Sequence, residues 1–172
     1  IVVVLALGGF TTSAETLPVL SVFLKPMTEE FHWSRSVFTG AMTIGTVLGG
    51  FLAIGVGPLI DRFGGRWILI VGFSIVGGSL ILMAGISELW QFYVLQIVAR
   101  IMTTGVLGLA PRVILPKWFV AKRGRAIAVE QLAGRMGHAV TPVYLQLLVS
   151  LRSWRIASIV AGIVMWAVSL LP

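Results

Sequence analysis

The stretch GPLIDRFGGRW, Gly57 to Trp67, constrains this chain more than any other, because it is a charged interruption between two long uncharged runs. Ser36 to Val56 upstream and Ile68 to Ser87 downstream hold no ionisable residue. At ~20 residues per crossing, each run is long enough to span a bilayer as a helix. The interruption is therefore expected to be a turn at a membrane surface. Gly57 and the Gly64–Gly65 pair permit a tight reversal, Asp61 suits a helix N-terminus, and Arg62 and Arg66 suit acidic headgroups.

Composition agrees. With 172 residues, 58% hydrophobic and only 11% charged, the chain lacks the polar surface that a soluble domain needs. The net charge of +7 raises nucleic acid as a partner, but the basic residues cluster at the edges of apolar runs, where they set membrane topology. No nucleic-acid partner is expected. The absence of cysteine excludes disulfides and thiolate metal or redox centres.

The fold expected is all-α and polytopic, with six transmembrane helices at about 1–24, 36–57, 67–87, 89–112, 126–151 and 154–171. The segments between them are read as loops, including Lys25 to Arg35. The loops after the second and fourth helices carry Arg62, Arg66, Arg112, Lys117, Lys122, Arg123 and Arg125 against Asp61. Those after the first, third and fifth carry Lys25, Arg35, Arg152 and Arg155 against Glu29, Glu30 and Glu88. The first set is expected in the cytoplasm, which places the N-terminus there too. On the second helix, the Gly45–Gly49 spacing makes a small-residue face for close packing.

Charge inside the membrane is concentrated on the first, fourth and fifth helices, at Glu15, Arg100, Glu130, Arg135 and His138. An intramembrane ionisable side chain costs at least ~2.5 kcal/mol, so these residues should face a bundle interior or wet cavity. The fourth helix carries a polar stripe of Tyr93, Gln96, Arg100 and Thr103 or Thr104 at three- and four-residue steps; the fifth carries Gln131, Arg135, His138, Pro142 and Gln146. Read as two three-helix units, each opens with a charged helix and closes with an uncharged one, as repeat-built transporters do.

The run Gly57, Leu59, Asp61, Arg62, Gly64 and Arg66 resembles the signature between helices 2 and 3 of the major facilitator superfamily, with Gly65 where a basic residue is common. Trp118, Phe119, Lys122, Arg123, Gly124, Ala126, Gly134, Gly137, Pro142, Trp154 and Arg155 further resemble its monocarboxylate-porter and oxalate/formate-antiporter branch. The chain departs from that branch in having no lysine inside the first helix. The resemblance implies that residues 1–172 are the N-terminal half of a twelve-helix transporter, the C-terminal half being absent. It also implies that Gly57, Asp61, Arg62, Gly64 and Arg66 form a gating motif.

The chemistry then expected is recognition of a small organic anion. Arg100 and Arg135 offer forked donors matched to a carboxylate, with Tyr93, Gln96, Gln131 and His138 as further contacts. Glu15 and Glu130 would balance charge or couple protons. A second half or a homodimer is required as partner, together with a coupling proton or counter-anion and the plasma or bacterial inner membrane. No cofactor, metal or catalytic residue is expected, and no enzyme. Two alternatives stay open: an exporter of amphipathic drugs keyed on Glu15, and a non-transporting receptor or assembly subunit using the arginines as buried ion pairs.

Overall fold

The computed structural model describes residues 9–10, 17–110, 112–113 and 123–170. Glu15 and the core of the basic loop, Lys117 and Lys122 included, lie outside the described residues. Among the described residues all regular structure is helical: α1 Leu17–Phe31, α2 Arg35–Phe63, α3 Gly65–Met83, α4 Leu89–Ile101, α5 Arg123–Leu151 and α6 Trp154–Ser169. A π-helical stretch, Met102–Leu107, continues α4.

Two segments read as loops in the sequence are largely helix. α1 continues through Pro26 to Phe31. Phe23 and Met27, one turn apart, are fully buried, and their packing carries the helix across a proline that propensity alone would make a stop. Likewise α2 runs through Gly57, Pro58, Asp61 and Arg62 before breaking. Buried Val56 and Ile60 bracket the proline. The reversal falls on Gly64 alone, whose φ of 82° puts it in the left-handed region that favours glycine. Its N–H closes the helix on the Ile60 carbonyl at 2.9 Å.

Cap chemistry sets two of the helix starts. Gln91 Oε1 accepts from the Ser87 and Glu88 amides at 2.9 and 3.3 Å, fixing the start of α4. Ser153 caps α6 by accepting from the Ile156 amide.

Apolar side chains fill the core and also cover much of the outside. α2 exposes Val47, Phe51 and Ile54, and α5 exposes Leu132, Met136, Val143 and Leu147, while Gln96, Thr141 and Ser158 are buried. Large outward apolar faces of this kind call for an apolar surrounding. α2 and α3 are long and apolar enough to cross a membrane by length and composition; α6 is apolar but shorter.

The most extensive helix packing is of α3 on α6, of α2 on α4 with its π-helical stretch, and of α3 on that same α4 segment, while α1 packs on α5. Three of these pairs are related by an internal exchange: α3 with α6, α2 with α4 and α1 with α5. Exchanging the units α1–α3 and α4–α6 maps the first pair onto itself and the second onto the third. Two seams depend on missing side chains. A Cβ on Gly162 would lie 2.7 Å from the Gly77 carbonyl, and one on Gly105 would lie 2.7 Å from the Gly49 carbonyl. Both are backbone-on-backbone contacts available only to glycine. Over the first seam, Trp166 donates its indole N–H to the Ser74 carbonyl at 2.9 Å.

Candidate functional site: a polar cleft on the fifth helix

α5 presents Ile127, Glu130, Gln131, Gly134, Arg135 and His138 along one face at helical spacing, and these residues line a cleft of about 340 Å³. Gly108 and Arg112, just beyond the π-helical stretch, form the opposite wall. Gly9 closes one side: a Cβ there would sit 3.2 Å from Glu130 Oε1 and 3.7 Å from the Gly134 Cα. Gly9 and Gly134 thus approach closely without filling the cleft.

Two guanidiniums, one imidazole, one amide and one carboxylate therefore surround the same space. Glu130 is half-buried, whereas Arg112, Gln131, Arg135 and His138 are exposed. Among the described residues no direct ion pair closes across the cleft, although the Arg112 charge acts on the Glu130 carboxylate. Its cationic excess suits an anion, and the forked donors suit a planar carboxylate.

The polar stripe on α4 is placed elsewhere. The stem of Arg100 packs on α2, where a Cβ at Gly45 would lie 2.7 Å from Arg100 Cβ. The Tyr93 hydroxyl faces Gly40 in the same seam. Gln96 is only 2% exposed, and Thr103 donates to the Ala99 carbonyl at 2.7 Å. None of Tyr93, Gln96 or Arg100 is among the described residues lining the α5 cleft. The structure gathers Glu130, Gln131, Arg135 and His138, and seats the Arg100 stem and the Tyr93 hydroxyl against α2 instead.

The Major Facilitator Superfamily sequence profile matches residues 1–172. The chain belongs to that superfamily. Among relatives, it is 26% identical over 151 residues to the uncharacterized MFS-type transporter YcxA of Bacillus subtilis, covering 87% of this chain and 37% of that protein. It is 32% identical over 118 residues to the probable sulfoacetate transporter SauU of Cupriavidus necator, covering 69% of this chain and 26% of that protein. The matches thus span well under half of either relative's length. Membership makes this a multi-pass membrane protein and points to a transporter rather than an enzyme.

Within this superfamily member, the residues of the signature stretch lie at the junction of α2 and α3. Asp61, Arg62, Gly64 and Arg66 are exposed, and Gly57 is half-buried one and a half turns earlier in α2. The Arg62 guanidinium lies over the Phe63 ring, 5.4 Å from its centroid.

Arg112, counted among the loop charges in the sequence, lies in the cleft four residues after Gly108 and acts on Glu130 through its charge. Sequence reasoning missed a polar clasp at the α1 C-terminus. Arg155 donates to Glu30 at 2.6 Å and to the Ala84 carbonyl at 2.7 Å, and Trp154 Nε1 donates to the second Glu30 oxygen at 2.6 Å. The Trp–Arg pair was visible as a motif; its partner, more than a hundred residues away, was not.

Proposed function

We propose that this chain is one half of a secondary active transporter that moves small monocarboxylates or related organic anions by alternating access. The observation that carries the reading is the α5 cleft, where Arg135 and Arg112 border a space shared with Gln131 and His138 and faced by a single carboxylate, Glu130. A carboxylate entering it meets forked cationic donors, whose charge-assisted hydrogen bonds are stronger than neutral ones. That one relative is described as a probable sulfoacetate transporter supports an organic anion as cargo.

In this reading Arg135 is the primary anion ligand, with Gln131 and His138 orienting the substrate. Arg100, with Tyr93 and Gln96, belongs to the path along α4. Glu130, together with Glu15, balances the cleft when it is empty and offers a proton site for symport; an anion exchanger would use the guanidiniums alone. The Gly57–Arg66 motif acts as a gate at the cytoplasmic surface, the N-terminus lying on that side. A second six-helix unit, from the same protein or another copy, completes the cavity across from α5.

The test is uptake of radiolabelled formate, lactate, oxalate and sulfoacetate into proteoliposomes holding the full-length protein, with a pH gradient or with anion preloaded inside. Saturable uptake lost in Arg135→Gln, at unchanged protein level, is the expected result. Stimulation by the gradient identifies symport, and stimulation by preload identifies exchange. Absence of uptake for all four anions would remove the organic-anion assignment.

A further inference from the structure

α1 divides its side chains between two faces. Phe23 and Met27 turn into the core and Glu30 into the clasp, while Ser21, Leu24, Lys25, Thr28 and Glu29 fall on the opposite face at three- and four-residue steps. Together with Arg35, the first residue of α2, these line a separate pocket of about 550 Å³. It shares no residue with the α5 cleft. The helical course of α1 through Pro26 is what holds Thr28 and Glu29 in register with Ser21 and Lys25.

Lys25 and Arg35 against Glu29 leave the pocket with a positive charge in excess. All three are exposed, and among the described residues no ion pair closes on any of them. The Thr28 hydroxyl is already committed as a donor to the Leu24 carbonyl, so the charged donors open to a ligand are the Lys25 ammonium and the Arg35 guanidinium. Exposed Trp90, at the start of α4, marks the membrane interface at this end of the bundle. Ser21 lies ten residues before the end of α1, about 15 Å at ~1.5 Å per residue. A polar face at that depth is unfavourable against acyl chains and belongs on a wet path. The clasp sets its level, because Glu30 is bound to Arg155 just past the end of α5, about 20 Å along that helix from His138. In the orientation proposed above, the pocket is the outer of the two sites and the α5 cleft the deeper.

We propose that this pocket is a recruiting site for a small organic monoanion, whose carboxylate rests between Lys25 and Arg35 before it passes to the α5 cleft. The recruiting role rests on the organic-anion reading of that cleft, whereas the pocket's own charge and lining stand apart from it. Arg35 offers a fork that matches a planar carboxylate and Lys25 a compact charge beside it. Leu24 and the aliphatic stems of both cations give a short alkyl chain an apolar wall. Glu29 holds the excess to the one charge that a monoanion neutralises. Exposed cations around a concavity raise the local anion concentration and the rate of capture, which is what the first stop on a transport path requires.

The experiment places a thiol in the pocket by Ser21→Cys, on a cysteine-free background of the full-length protein in proteoliposomes; Thr28→Cys, on the same face, serves should the first variant not fold. Its modification is followed with two methanethiosulfonates, one carrying a sulfonate and one a quaternary ammonium, and with acetate as the probe anion. The anionic reagent should react about tenfold faster than the cationic one, and acetate should slow it about threefold more than chloride does at equal ionic strength. Both effects should vanish when Lys25→Gln and Arg35→Gln are added. Equal rates for the two reagents, chloride protecting as well as acetate, or acetate protection that survives loss of both cations would overturn the site. In uptake assays Lys25→Gln/Arg35→Gln should raise the KM of the transported anion about tenfold at unchanged kcat, whereas Arg135→Gln removes uptake. An unchanged KM would overturn the recruiting role. Acetate protection in a protein that transports no organic anion would keep the pocket as a carboxylate site and remove the transport reading instead.

Discussion

Two places in this molecule bring charged side chains together, and they do so in opposite ways. In the clasp, Glu30, Trp154, Arg155 and the Ala84 carbonyl satisfy one another at 2.6 to 2.7 Å, with the guanidinium also 4.7 Å from the Trp154 ring centroid. In the cleft, Arg112, Glu130, Arg135 and His138 are held apart around about 340 Å³. A charge already matched inside the protein contributes to stability and has little left for a ligand. A charge held by its helix beside an empty volume contributes little to stability and is available to a third party.

The sharpest way to break that comparison is to remove one arginine from each place. Arg135→Gln is expected to lower anion uptake roughly 10- to 100-fold, the value of a charged hydrogen bond, with the thermal midpoint in detergent unchanged. A large drop in that midpoint would move Arg135 into the structural class. Gly45→Ala, in the seam where Arg100 sits, should instead destabilise by about 1–3 kcal/mol, because the new Cβ has no room beside Arg100 Cβ. Gly134→Ala makes the contrast, since the new Cβ would meet only the Gly9 carbonyl oxygen, at 3.8 Å; stability should hold while uptake falls. Arg155→Gln should reduce stability by about 1 kcal/mol and leave the uptake KM as it was. The effect is small because the Arg155 side chain is 38% exposed and water already screens it.

The same contrast explains what could be read from the sequence. The α5 face was legible because Gln131, Arg135 and His138 recur at helical spacing on one element, so no knowledge of its neighbours was needed. The Gly45–Gly49 face was legible for the same reason. The clasp was not, since it joins the end of α1 to the start of α6 through tertiary contact alone. The seating of Arg100 against Gly45 was hidden for a related cause: a polar stripe gives the side that a residue faces, not whether a cavity or a glycine seam stands opposite. The helical course of α1 through Pro26 and of α2 through Pro58 was masked by local signals, proline and charge, that burial of Phe23, Met27, Val56 and Ile60 overrides. The π-helical stretch at Met102–Leu107 has no such local signal; Gly105 seated on the Gly49 carbonyl marks where α4 is drawn onto α2.

The smallest effect expected is also the one that decides whether the clasp has any part in proton coupling. Hydrogen bonds from Arg155 first and Trp154 second, aided by the nearby positive charge, hold the Glu30 carboxyl below its ordinary value of 4.5. A depressed folded-state value means that the clasp's contribution is complete above the unfolded-state value and is lost as pH falls through the folded one. Between pH 5 and 8 the clasp should therefore be constant. Glu30→Gln should lower the thermal midpoint slightly across that range, the amide oxygen still accepting one of the two donors. The difference from wild type should shrink only as the pH falls well below that ordinary value, when the wild-type carboxyl takes up its proton. A midpoint difference that instead changed between pH 6 and 7 would mean that Glu30 titrates in the working range, and the clasp would then join the cleft as a place where charge is exchanged rather than stored.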